Sequence, residues 1–436
     1  MPSVPRFLLA LVATLAVPAL AAGAHAAPVV VSTPDQKALA PDVAVGPKGE
    51  IAVLWLAKGD PDSAAARAAA AERAEMGHTH LSSMNLYVAV STDGGATFGA
   101  PVHVNHGDDV WGFAVSRPRV AFGPSGTLHV AYPANEHQAT IDKPVLMTHY
   151  TRSTDGGKTF EAPRRVSTVT DSDLSSVIHG GFASVAAFGT MGVAPNGDVH
   201  ITWIDTRNMK AETSTGSVYA AVSKDDGRTF AVDRMMVADG VCPCCQLSIA
   251  FDGRSRPYLG SRSVTGDNLR SSTVARADGR GGEFGPRVAT GGTPWHLDGC
   301  PLKPTVLAVR GDTVYTAAHN GAEKPPGVMV ATSHDGGASF DAPLAVQPGA
   351  LVTDAPALTL TQGGALLAWH AKVDGPRRVY YRALDARGAF AGPVAALTEG
   401  DATSQNPALS SRPDGRVQVA WQQDERIYTS AIAAPR

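Results

Sequence analysis

One octapeptide occurs four times and constrains this chain more than anything else in it. The copies are Ser91-Thr92-Asp93-Gly94-Gly95-Ala96-Thr97-Phe98, Ser153-Thr154-Asp155-Gly156-Gly157-Lys158-Thr159-Phe160, Ser223-Lys224-Asp225-Asp226-Gly227-Arg228-Thr229-Phe230 and Ser333-His334-Asp335-Gly336-Gly337-Ala338-Ser339-Phe340. Each follows an alternating apolar run and precedes a second strand-like run, so each reads as a hairpin turn. Gly supplies the positive φ of a tight turn, Asp accepts from its exposed amides, and the terminal aromatic can anchor it to the sheet. Asp93, Asp155, Asp225 and Asp335 lie 62, 70 and 110 residues apart, the last interval being close to two repeats of 55. A recurring module of four strands is the first expectation.

Aligned on these turns, the chain repeats a strand, a Gly-Pro or Asn-Gly turn, a second strand often carrying Trp, a variable loop, a third strand, the Asp-bearing turn and a fourth strand. Modules begin near Pro41, Arg117, Phe182, Cys245, Pro301, Asp354 and Pro407, and the last stops after three strands. Second strands include Ile51–Leu56, Leu128–Tyr132, Val199–Ile204, Thr313–Ala318, Ala365–Trp369 and Val417–Trp421, while Ala277-Asp278-Gly279 and Leu384-Asp385-Ala386 resemble degraded turns. The segment Pro28–Ser32 could supply the missing fourth strand and remove the open sheet edges. The expected fold is therefore all-β, a β-propeller of four-stranded antiparallel blades closed by the N-terminal strand, with seven blades the best count and six the alternative. Residues 58–83, rich in Ala, Glu and Arg from Ser63 to Ala74, read as an insertion in the first blade.

The 436 residues are 18% charged and 6% aromatic, with 45 Gly and 31 Pro, as short strands and turns require. A net charge of −3 without any basic run argues against nucleic acid as a partner. At the N-terminus, Arg6, an apolar stretch Phe7 to Val17 and Ala24-His25-Ala26 form the pattern of a secretory signal peptide over residues 1–26. Residues 27–436 then form one propeller domain, secreted or periplasmic, with no transmembrane segment in the mature chain.

The octapeptides match the Asp-box, or BNR repeat, Ser/Thr-x-Asp-x-Gly-x-x-aromatic, and the mature chain resembles the sialidase-like β-propeller superfamily over nearly its whole length. In that family Asp-boxes are structural turns far from the active site, so the resemblance implies fold more than activity. Sialidases use three arginines to hold the substrate carboxylate, a Tyr–Glu nucleophile pair and an Asp acid/base, and the first arginine sits in a Phe/Tyr-Arg-Ile-Pro motif before the first box. No such motif stands there; the nearest cluster, Ser116-Arg117-Pro118-Arg119, follows it. For that chemistry the catalytic candidates are Arg117, Arg207, Arg262, Asp205 and Asp298, with Arg378 and Tyr380 or Tyr381 as further possibilities.

Propeller topology gives a second line of reasoning. Fourth-to-first connections and second-to-third loops share one face, which would gather Trp111-Gly112-Phe113, His179, Val241-Cys242-Pro243-Cys244-Cys245-Gln246 and Trp295-His296-Leu297-Asp298-Gly299-Cys300. His78, His80, Glu136, Asp205 and His319 join them from the loops. Three readings of the four cysteines stay open: two disulfides, a transition-metal site, and redox work through Cys242-x-x-Cys245. Thiolates favour soft or borderline ions, so copper is the first metal to test and zinc the second, with Cys242, Cys244, Cys245, Cys300 and His296 as ligands. His179, Trp111 and Trp295 are the ligand-binding candidates, whereas Trp55, Trp203, Trp369 and Trp421 occupy equivalent strand positions and read as packing residues. The leading functional expectation is a binding or accessory protein with a Cys/His-rich, copper-binding face, taking a small ligand, glycan, metal ion or periplasmic protein as partner. The alternative is an exo-sialidase-type glycoside hydrolase whose cysteines form structural disulfides.

Overall fold

The computed structural model describes residues 25–58, 84–112, 116–138, 141–170, 186–209, 215–323, 326–350 and 352–434. The expected signal peptide up to residue 24, the insertion with His78 and His80, and His179 lie outside the described residues. Those described are all-β, with one short 3-10 turn at Pro34–Gln36. No helix among them is long and apolar enough to cross a membrane.

Strands follow one another as antiparallel meanders. The first runs Ala38–Val45, Ile51–Lys58, Met84–Ser91 and Val102–His103. A later one runs Val352–Leu360, Gly364–Lys372, Arg378–Asp385 and Phe390–Ala396. Second strands are buried along most of their length, and Val199–Asp205 from end to end, because both faces are covered. Trp55, Trp203, Trp369 and Trp421 are fully buried there. Each faces a tyrosine on the neighbouring strand, Tyr87, Tyr219, Tyr380 and Tyr428 respectively. Three of these pairs stack with ring centroids 6.2, 6.4 and 5.8 Å apart, so the tryptophans are packing residues.

First strands contact one another in sequence: Ala38–Val45 with Arg119–Phe122, then Ala186–Val193, Ser248–Phe251, Thr305–Arg310, Val352–Leu360 and Ser404–Ser411. The last of these touches Ala38–Val45 again. In the final sheet Val29 and Val30 pair with Thr429 and Tyr428, so the N-terminal strand takes the fourth place beside Ser404–Ser411, Val417–Gln423 and Arg426–Ile432.

Separate four-stranded sheets were expected throughout, and the structure departs from this in two places. Among the described residues, the first two meanders are joined into one nine-stranded sheet, as are the third and fourth. Asp109–Val110 bridges Met84 and Asn135 in the first case; Val241 pairs with Ser263 in the second. Connections read as loops continue into strand pairing, because their backbone amides find partners in the next meander. For the same reason Asn135 and Glu136 lie in the strand Leu128–Gln138, not in a loop.

The four Asp-bearing turns share one hydrogen-bond net. Asp93 Oδ1 accepts from Ser91 Oγ and Thr97 N at 2.8 and 3.0 Å, and Asp93 Oδ2 from Thr97 Oγ1 at 2.6 Å. Asp155, Asp225 and Asp335 repeat this pattern with Thr159, Thr229 and Ser339. Gly95, Gly157, Gly227 and Gly337 stand at φ between 78° and 91°, where a Cβ would be strained. Donation from the hydroxyl, then from the amide, of the fourth residue onward holds each carboxyl well below its ordinary 3.8. A depressed folded pKa stabilises above the unfolded value and loses that contribution as pH falls through the folded one. Asp225→Ala is therefore expected to melt earlier than the parent at pH 7, with the gap narrowing only in acid well below pH 3.8. Equal gaps at both pH values would refute this account of the turn.

Candidate metal centre

Cys242 follows the strand Arg234–Val241, and its amide donates to Arg262 O at 2.8 Å. Pro243 cannot extend the ladder, and the chain turns so that Cys245 N reaches back to Cys242 O at 3.5 Å. The turn directs three side chains inward. Cys242 Sγ lies 3.6 Å from Cys244 Sγ and 3.3 Å from Cys245 Sγ, and the three sulfurs lie within 4.8 Å of one another. All three are buried in a cluster with Trp111, Phe188, Leu247 and Met236. Cys300 is exposed and stands outside the group of three sulfurs. All four cysteines are free thiols.

Electrostatics around the sulfurs are uneven. Hydrogen bonds from Cys244 and then Cys245 push Cys242 well below the ordinary thiol range, against the effect of burial. Burial raises Cys245, and the hydrogen bond to Cys242 raises Cys244.

The other site candidates separate. His296 is more than half exposed and faces Asp298 at 3.4 Å, outside the three-sulfur group. Its strand pairs with Leu269 and Arg270, and alternation turns Trp295 and His296 to opposite faces. Trp295 lies under Arg262 at 5.6 Å and edge-on to His319 at 6.3 Å, lining a cleft with Arg270 and Asn320. Trp111 is buried edge-on against Phe188 at 5.6 Å and packs beside the cysteines instead of offering a stacking face.

The three arginines read as a carboxylate clamp have different partners. Arg117 is buried and donates to Pro41 O and Pro407 O at 3.2 and 3.0 Å. Arg207 grips Asp205 and Asp233 and stacks on Tyr219 at 4.1 Å. Arg262 donates to Lys303 O and His319 O. Asp205 is fully buried, held by Arg207 and by Trp203 Nε1 at 2.9 Å. Asp298 is exposed beside Asn268.

A cluster that no local motif announces forms around His149. Its Nδ1 lies 2.7 Å from Asp108 Oδ2 and its Nε2 2.7 Å from Glu136 Oε1. Tyr132 donates to Asp108, and Arg165 to Glu136. Burial alone would lower His149, but the hydrogen bonds to Asp108 and Glu136 outweigh it and push the imidazole up to about 9. A raised folded pKa gives stability that is complete below 6.5 and is lost as pH rises through about 9. This contribution is on the order of 3 kcal/mol. The parent is expected to lose melting temperature over that window relative to His149→Gln. Parallel pH profiles for the two proteins would rule out the linkage.

No protein-family model matches the chain, and no curated protein matches it in sequence. Among solved structures, a protein of unknown function from Dyadobacter fermentans is 16% identical, with a TM-score of 0.54 over 95% of this chain and 99% of that one. An ulvan lyase, a polysaccharide lyase bound to a GlcA(1-4)Rha3S segment, is 12% identical, with a TM-score of 0.56 over 93% and 95%. A Hadza microbial sialidase is 16% identical at a TM-score of 0.49, covering 80% and 73%. At such identities the first two likenesses establish a shared fold and nothing about chemistry.

Proposed function

We propose that this chain is an exported, sialidase-like propeller of seven blades. In this reading it serves as a binding or accessory protein that holds a soft transition-metal ion on Cys242, Cys244 and Cys245. The observation that carries this reading is the close approach of three buried sulfurs from one turn. A metal–sulfur bond of about 2.3 Å puts neighbouring sulfurs of a trigonal or tetrahedral site roughly 3.7–4.0 Å apart. The thiols stand near that spacing and need only small adjustment. When bound, the ion would be a thiolate complex, which suits Cu(I) best and Zn(II) next. The apolar surround of Trp111, Phe188 and Leu247 would keep water from it.

Seven blades are supported by the seven first strands, whose contacts run from Ala38–Val45 round to Ser404–Ser411 and back. Closure by the N-terminal strand is supported by the pairing of Val29 and Val30 with the last strand. Export is supported by the charge, apolar run and small residues at the N-terminus. In that compartment an exported partner would deliver or collect the ion. The hydrolase reading is weakened by Arg117, Arg207 and Arg262, which are committed to separate partners.

Titration of the reduced mature chain with Cu(I), and separately with Zn(II), each against a chelator of known affinity, tests the proposal. Retention of one ion per chain is expected. Failure to compete for either ion would contradict it.

A further inference from the structure

Arg262 and Arg270 flank the thiol turn, and neither has the partner that a buried cation normally requires. Arg262 is 1% exposed and Arg270 7%. A buried charge is tolerated when paired, and an unpaired one costs several kcal/mol. Among the described residues no carboxylate forms an ion pair with either guanidinium. Arg262 spends two donors on the carbonyls of Lys303 and His319, and Arg270 Nη2 spends its own on those of Leu297 and Gly299. Carbonyls satisfy hydrogen bonds but carry no net charge. Arg270 Nε is buried without any hydrogen-bond partner.

The acidic groups beside these arginines are the thiols. Cys242 N donates to Arg262 O at 2.8 Å, and the Arg270 guanidinium donates to Gly299 O, the carbonyl next to Cys300, at 3.1 Å. The strand pairing that holds this arrangement is continuous: Val241 opposite Ser263, and Val264 opposite Arg270.

Resting on the reading of the thiols as metal ligands, we infer that Arg262 and Arg270 are fixed counter-charges that set the three-sulfur site for one monovalent soft cation, Cu(I). Three buried thiolates carry three negative charges and the guanidiniums return two. One monovalent ion makes the buried group neutral. A divalent ion leaves an uncompensated positive charge in an apolar surround, unless a fourth thiolate joins it. Cys300 is the available fourth thiol, but it is exposed, where solvent screens its charge. It therefore stands outside the balance. Loading releases the thiol protons and changes no oxidation state.

The test compares Cu(I) and Zn(II) affinities of the reduced mature chain by anaerobic chelator competition, for the parent, Arg270→Met, Arg262→Met, Arg270→Lys and Cys300→Ser. The ratio of the two affinities is the readout, because loss of packing weakens both metals together. The parent is expected to take one Cu(I), and Cys300→Ser to leave that affinity within about twofold, as screening of exposed charges implies. Arg270→Met and Arg262→Met should each move the ratio toward Zn(II) by at least about tenfold, since removing one charge makes the divalent complex the neutral one. Arg270→Lys should restore most of the parent ratio. Should Arg270→Met fail to fold, judged by its melting curve, Arg262→Met carries the same expectation. An unchanged ratio in folded variants of a parent that binds Cu(I) overturns the counter-charge role alone. So does a parent that needs Cys300 and prefers Zn(II). A parent that binds neither ion overturns the metal reading itself, and this inference with it.

Discussion

Replacing Cys242 by Ser is expected to abolish retention of Cu(I), weakening binding by about two orders of magnitude or more, given that outer-shell partners alone are worth ten- to hundredfold. Cys242 is the hub of the cluster, since its sulfur is the one within 3.6 Å of both others. Serine keeps the shape and the backbone bond to Arg262, but its oxygen is a hard and weakly acidic donor. The substitution leaves Arg262 and Arg270 with less anionic charge to face, so modest destabilisation accompanies the loss of metal. Cys242→Ala separates these effects: it should lose metal equally while burying no hydroxyl. Equal Cu(I) affinity in the parent and both variants, measured by chelator competition, would place the ion elsewhere.

A second large effect is expected at the seam between the two ends of the chain. Val31 is buried in one cluster with Trp55 and Ile51 from the first meander and Ala420 and Ile427 from the last. Its amide donates to Ile427 O at 2.9 Å, and Ser32 Oγ accepts from Ile427 N at the same distance. Val30, one residue earlier, is on the other face and 39% exposed. Val31→Asp places an unpaired charge in that cluster and is expected to cost about 3–5 kcal/mol. Val30→Asp leaves its charge in water and should change stability by less than about 1 kcal/mol. Chemical unfolding of the two variants checks this directly. Similar losses for both would mean that the N-terminal strand does not seal the last sheet.

Legibility in the sequence followed the range of the interactions. The Asp-bearing turns were readable because every bond in them lies within four residues. The N-terminal strand was readable from strand arithmetic, since the last module lacks its fourth member. Tertiary register was not readable. Which neighbour Val241 pairs with decides that Arg262 lies beside the thiol turn and donates to the carbonyls of Lys303 and His319. Alternation in a two-residue strand sends His296 outward, although it is only four residues from Cys300. The His149 cluster draws on residues 108, 132, 136, 149 and 165, and Arg270 meets the thiol turn only through cross-strand pairing. No spacing rule connects such positions.

X-ray absorption at the copper edge of the Cu(I)-loaded, reduced mature chain bears most directly on the thiol centre. The account predicts one copper per chain with three sulfur neighbours at about 2.3 Å, the usual metal–thiolate distance. A first shell of nitrogen and oxygen, or a chain that retains no copper, would contradict it.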